Sequence, residues 1–404
     1  MSSSIDQALQ NAVASGAVPN VAAIATDRNG VIYEGAAGPR VVGGIDRVTV
    51  DSHFRVMSMT KMVATAVALQ HVEQGNLDLD APVEAYLPEF ADLQVLVGFD
   101  GDRPKLRPPA TKATVKQLIT HTTGLGYWFW NADLVRWESV TGTPNVSSGS
   151  NIIFTAPLVA DPGTKFEYGI NSDWLGKVVE AVSGVTLDLA VQEGITVPLG
   201  MDETAFLMSA QQRDNCVPVH LKGEDGAWAA SAIELNQDPE YWAGGHGLHS
   251  TPRDYLKFQR ALLSGGELDG VRILKDSTVE ELFINQIGDL DFPSRIASAA
   301  PATTNTFTAG PGHKWGYGLL LNAEDIAGRR RAGSGAWAGL LNTYFWVDRS
   351  AGIAGGIYTQ SLPFVTREAI KMYNEFEEAL YASLSAVRSR EADSARPPAC
   401  VGRL

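Results

Sequence analysis

Ser58 and Lys61 stand three residues apart in Ser58-Met59-Thr60-Lys61, directly before a run of helix-forming residues. On a helix that spacing sets a hydroxyl and an ammonium on one face. The hydroxyl would also lie at the positive end of the helix, where free N–H groups can stabilise a developing negative charge. A lysine held there away from water loses its proton more readily and can serve as a base. The pair therefore reads as an activated serine nucleophile. Of the 11 lysines in the chain, Lys61 alone has a serine three positions before it. The competing reading is a serine that caps a helix, with an exposed lysine one turn later.

Other patterns that could carry chemistry are weaker. His246 and His249 are three apart like metal ligands, but they fall in a Gly-rich turn with no third ligand in the pattern, so no metal is expected. Gly310-Pro311-Gly312 is not followed by Gly-Lys-Ser/Thr and is not a phosphate loop. No serine sits in a Gly-x-Ser-x-Gly elbow, and no His-Glu-x-x-His occurs. No cofactor is implied.

The elements that must hold Ser58 and Lys61 follow from the punctuation of the chain. Residues 5–16 are helical, 20–25 read as a strand, and Asp27-Arg28-Asn29-Gly30 turns the chain into a second strand over 31–34. Near the other end, residues 342–347 and 352–359 form a second hairpin, followed by an amphipathic helix over 366–385. Hairpins at both ends, each flanked by a helix, predict one antiparallel sheet built from the two chain ends. Between them, helices are expected at 59–73, 116–120, 173–182, 187–192 and 252–263, separated by Gly and Pro turns. The expected fold is α/β: residues 1–75 with 305–386 as a sheet lobe, 76–304 as a mostly helical lobe, and 387–404 as a disordered tail.

Composition narrows the class of partner. With 45% hydrophobic residues in 404, the chain can bury a large core. A formal charge of −14 repels phosphate backbones and anionic lipid, so neither nucleic acid nor a membrane surface is an expected partner. The N-terminus has no basic and apolar leader pattern, no apolar run is long enough to span a bilayer, and Cys216 and Cys400 suggest no disulfide framework. A cytoplasmic, soluble protein acting on a small molecule is the expectation.

Five segments, in order, resemble those of the penicillin-recognising serine hydrolases. The Ser58–Lys61 segment resembles their nucleophile helix. Leu118-Ile119-Thr120-His121-Thr122-Thr123-Gly124-Leu125 resembles L-L-x-H-x-S/T-G-L, and Pro162-Gly163 through Tyr168 resembles P-G-x-x-x-x-Y. Gly244 to Thr251 resembles G-G-x-G-L-x-S-T, and Trp315 to Leu319 resembles a W-G-Y-G-L strand. The chain is most similar to family VIII carboxylesterases and to acyltransferases acting on statin-type alcohols. The resemblance implies a β-lactamase-like fold and an acyl-enzyme on Ser58, with Tyr168 relaying protons among Ser58, Lys61 and the leaving group.

It also assigns Leu340, in Gly335-Ala336-Trp337-Ala338-Gly339-Leu340, to an oxyanion hole with the Ser58 N–H. This stretch replaces the Lys-Thr-Gly of β-lactamases. Trp337 then offers an apolar wall where a cation would hold a β-lactam carboxylate, or else it packs the sheet. Gly339 keeps the strand edge open to substrate. Tyr127, first of the aromatics Tyr127-Trp128-Phe129-Trp130, is the best candidate for substrate contact. Asn171 comes one residue later than in the β-lactamase Tyr-x-Asn and is not assigned to the chemistry.

The function implied is hydrolysis of carboxylic esters with short-to-medium acyl chains, with acyl transfer or weak β-lactam turnover as side activities. A β-lactamase or D-amino-acid peptidase would call for a cation at the third element. A non-catalytic binding module of the same fold would call for loss of Ser58, Lys61 or Tyr168.

Overall fold

The computed structural model describes residues 2–309 and 312–394, so Gly310 and Pro311 of the Gly-Pro-Gly loop lie outside the described residues. Helix α1 (Ser2–Ala14) leads into β1 (Val21–Asp27) and β2 (Val31–Ala37). The turn between the strands is closed by Asp27, whose Oδ1 accepts the N–H groups of Asn29 at 2.7 Å and Gly30 at 3.0 Å. Helix α2 (Thr60–Glu73), helix α3 (Asn171–Ser183) and helix α4 (Pro252–Leu263) come from the middle of the chain. The chain then returns through β3 (Lys314–Trp315), β4 (Leu320–Leu321), β5 (Gly335–Gly339), β6 (Thr343–Asp348), β7 (Ile353–Tyr358) and helix α5 (Arg367–Ser394).

The two chain ends meet in one seven-stranded sheet of order β3-β4-β5-β6-β7-β1-β2, antiparallel throughout. The join is β1 with β7, in a register that sets Ala22 opposite Tyr358 and Ile24 opposite Gly356. Alternation along β6 sends side chains to both faces. Trp346 meets Phe376 of α5 at 5.7 Å on one face, while Phe345 meets Tyr255 of α4 at 5.3 Å on the other. Sheet, terminal helices and central helices share one apolar core. Helix α2 is buried on all sides from Thr60 to Leu69, which makes it the axis of the helical region.

Several elements differ from expectation. Trp315 to Leu319 is not a continuous strand: β3 ends at Trp315, Gly316 N–H bonds Leu319 C=O at 2.8 Å, and Gly318 takes φ +81° in the hairpin turn. A further helix, Ala132–Thr141, follows the aromatic run. Residues 387–394, read as tail, continue α5, and 395–404 lie outside the described residues. Among the described residues, no helix is long and apolar enough to cross a membrane.

Candidate active site

Ser58 sits in a single 3₁₀ turn, Met57–Met59, that feeds α2, rather than in the α-helix itself. Its hydroxyl meets two side chains, Lys61 and Tyr168. Met57 ahead of it adopts φ +49°, a left-handed conformation that costs a residue with a Cβ about 1–2 kcal/mol. Such strain persists only where the surroundings enforce it. Here they do: Val56 N–H bonds Leu248 C=O at 3.1 Å, and the Tyr255 hydroxyl donates to Met59 C=O at 2.9 Å.

The end of β5 presses on the same turn. A Cβ on Gly339 would fall 2.4 Å from the Val56 carbonyl and 3.1 Å from Met57 Cβ, so only glycine lets the strand come this close. That approach sets the end of the strand, with Leu340 next in the chain, against the turn that carries Ser58.

Lys61 is 1% exposed, which rules out the capping serine with a solvated lysine. Its Nζ donates to Ser58 Oγ at 3.2 Å, to Tyr127 Oη at 3.0 Å and to Gly245 C=O at 2.8 Å. The rings of Tyr168 and Tyr127 lie 4.7 and 5.0 Å from the nitrogen. Burial disfavours the ammonium and pushes Lys61 down to about 7, against the pull of the Asp173 carboxylate.

The glycine turn at 244–247 reaches Lys61 because Phe54–Arg55 pairs antiparallel with His249–Ser250. The same pairing lets Leu248 N–H bond Thr60 Oγ1 at 3.1 Å.

Tyr168 is 5% exposed, and its hydroxyl accepts the Trp337 indole N–H at 2.7 Å. Burial drives its pKa upward, while hydrogen bonds with the Ser58 hydroxyl and Trp337 pull it the other way, and the net shift is up. The phenol therefore keeps its proton at neutral pH. Of the two groups next to Ser58, Lys61 is thus the one that can lose a proton near neutral pH and Tyr168 the one that keeps its own.

Trp337 is 6% exposed and stands at 4.7 Å from Trp315 and 5.0 Å from Tyr168. It both packs the sheet and fixes the tyrosine. It also borders a cavity of about 400 Å³ whose walls include Phe307, Ala336, Ala338 and Tyr344. Arg330, which also lines it, is paired with Glu377 at 3.1 Å, so its charge is already balanced.

Tyr127, expected at the substrate, is 4% exposed and has its hydroxyl on Lys61. Phe129 stacks on it at 4.9 Å, and Trp130 lies 5.3 Å from Tyr168. The aromatic run thus walls Lys61 and Tyr168. Asn171 is fully buried and turned to the fold, with Nδ2 at 3.0 Å from His121 Nδ1 and 3.2 Å from Leu125 C=O.

Sequence reasoning missed Asp173, which reaches the site from the first turn of α3. The available signal was an acid five residues after Tyr168, at a helix start where acids are common for dipole reasons. Among the described residues, no group of three or more His, Cys, Asp or Glu side chains could hold a metal ion.

The chain is similar to known proteins along nearly its whole length. A family model described as Beta-lactamase matches residues 5–379. Lovastatin esterase of Penicillium rubens is 32% identical over 403 residues, covering 96% of this chain and 100% of that protein. Monacolin J acid methylbutanoyltransferase of Aspergillus terreus is 30% identical, with 94% and 95% covered. Among solved structures, the LovD6 mutant of simvastatin synthase from Aspergillus terreus superposes with a TM-score of 0.81 at 29% identity, covering 95% of each chain. EstCE1, a hydrolase with promiscuous acyltransferase activity, superposes at 0.73 with 23% identity, covering 93% and 97%, and speaks to the fold alone.

Proposed function

Because this chain belongs to the beta-lactamase family, we propose that it is a family VIII-type carboxylesterase, working through an acyl-enzyme on Ser58. The observation that carries this reading is the fully enclosed Lys61, 3.2 Å from Ser58 Oγ and held near neutrality. Similarity to an esterase and to acyltransferases supports acyl chemistry with either water or an alcohol as acceptor.

The steps balance as follows. Neutral Lys61 takes the Ser58 proton as Oγ bonds the ester carbonyl carbon. The negative charge on the carbonyl oxygen is met by the N–H groups of Ser58 and Leu340. As the tetrahedral intermediate collapses, the carbon–alkoxide bond breaks, Tyr168 gives its proton to the alkoxide, and the Lys61 ammonium restores it. Water, or an alcohol, attacks the acyl-enzyme by the reverse of these steps.

The pH dependence follows from the base. Attack needs Lys61 neutral, and its pKa lies near 7 instead of 10.5. Ester kcat/KM is therefore expected to rise about tenfold per pH unit up to about 7 and to level off above it. A profile that is flat from pH 5 upward would remove Lys61 from the role of base.

Substrate choice turns on Trp337, which stands where the resemblance puts a β-lactamase lysine. Its one N–H is spent on Tyr168, so it offers no counter-charge to a β-lactam carboxylate. An ester needs no such cation, and its alkoxide leaves more readily than an amine. The aromatic walls favour apolar acyl groups, each buried methylene adding about 0.8 kcal/mol until space runs out. Comparing kcat/KM for nitrophenyl butyrate and a chromogenic cephalosporin is expected to favour the ester strongly. A cephalosporin value equal to or above it would restore the β-lactamase reading.

A further inference from the structure

Asp173 is a carboxylate with no exposure to water at all. A charge so enclosed must be balanced by a partner and by hydrogen bonds. Its Oδ1 accepts Gly245 N–H at 2.9 Å, and the carbonyl of the same glycine accepts from Lys61 Nζ at 2.8 Å. Tyr127 forms the second link. Its hydroxyl accepts from Lys61 at 3.0 Å, which leaves the phenol proton to face the carboxylate.

The crowding at Gly245 shows how tight this is: a Cβ there would lie 2.6 Å from Asp173 Oδ2 and 2.8 Å from Tyr127 Oη. Oδ2 and the Tyr127 hydroxyl thus crowd the same point beside Gly245, and Tyr127 is hydrogen-bonded to the carboxylate.

The other titratable groups nearby do not supply the missing cation. His246 Nδ1 is 3.8 Å away, but burial lowers its pKa and keeps it neutral. His121 is held neutral by burial and by Lys61 itself. Tyr168 and Tyr241 are phenols with pKa values raised by burial. Lys61 remains, linked to Asp173 through Gly245 and Tyr127.

We infer that Asp173 is a positioning residue for the reaction: it is the counter-charge that stabilises the Lys61 ammonium formed when Ser58 is deprotonated, acting through Tyr127 and Gly245. The inference rests on Lys61 being the base. The Ser58 proton moves only to Lys61 Nζ, no proton reaches Asp173, and the carboxylate sets the stability of the cation it faces. Its part parallels that of an acid which orients and supports a catalytic base without itself being protonated.

The test is Asp173→Asn in the full chain, which keeps an acceptor for Gly245 N–H and removes the charge. Without its counter-charge the Lys61 ammonium is less stable. The acid limb of kcat/KM is therefore expected to move down by about one pH unit or more. A weaker base also lowers the plateau, by about tenfold or more. A packing role would depress activity at every pH and leave the limb in place. A limb that stays within about 0.2 pH unit of wild type, or moves up, overturns the inference.

If wild type itself shows no limb near 7, it is the assignment of Lys61 as base that fails. Should Asp173→Asn not fold, Gly245→Ala gives the same reading. Its methyl wedges the carboxylate away from Tyr127 and should shift the limb downward, and an unmoved limb in that variant overturns the inference equally.

Discussion

Ser58→Ala is expected to lower ester turnover by about four orders of magnitude or more while leaving the protein folded. The serine supplies the bond that makes the acyl-enzyme, and among the described residues no other hydroxyl hydrogen-bonds both Lys61 and Tyr168. The structural cost of losing it is small. Without the hydroxyl, Lys61 keeps its bonds to Tyr127 and Gly245. About 1 kcal/mol each covers the loss of its hydrogen bonds to Lys61 and Tyr168. Nitrophenyl butyrate turnover and thermal unfolding of the variant check both halves. Appreciable activity in a folded Ser58→Ala protein would place the nucleophile elsewhere.

Lys61 and Tyr168 are expected to fail together. Lys61→Met and Tyr168→Phe should each cost about three orders of magnitude in kcat, and the double variant only slightly more, because members of one proton-transfer unit are non-additive. The physical reason is the shared proton: Tyr168 donates to the leaving group what Lys61 took from Ser58, so either break stops the cycle. Lys61→Arg should not rescue, since a guanidinium does not deprotonate and its planar fork does not fit the three acceptors around Nζ. Fully multiplicative losses in the double variant would separate the two residues into independent roles.

Much of this was legible in the sequence because local rules carried it. Gly and Pro punctuation marked α2, α3 and α4, and the Asp27–Gly30 turn set the first hairpin. The pairing of the chain ends followed from two hairpins that each needed a partner.

What local rules do not encode was missed. Helix Ala132–Thr141 has the expected punctuation, an Asn131 side chain capping its start and Gly142 at φ +72° ending it. Yet Leu134 is the one residue of that helix that is buried, so it shows no apolar stripe to read. Trp315 to Leu319 was expected as a strand from the family resemblance, but Gly318 in a left-handed conformation bends it into a turn.

At the site, Tyr127 was expected at the substrate from the family resemblance; that its hydroxyl meets Lys61, 66 positions away in the chain, no local pattern signals. Asp173 was invisible for the same reason. Its partners, Gly245 and Tyr127, come from distant turns, and nothing within a few residues of it signals the contact.

The most direct measurement is the mass of the protein during turnover. Acid-quenching the full chain with nitrophenyl butyrate, followed by intact mass and peptide mapping, should show a single butyryl group on the peptide that carries Ser58, and none in Ser58→Ala. A butyryl group mapped to another residue, or one that persists in Ser58→Ala, would contradict acyl-enzyme catalysis at Ser58.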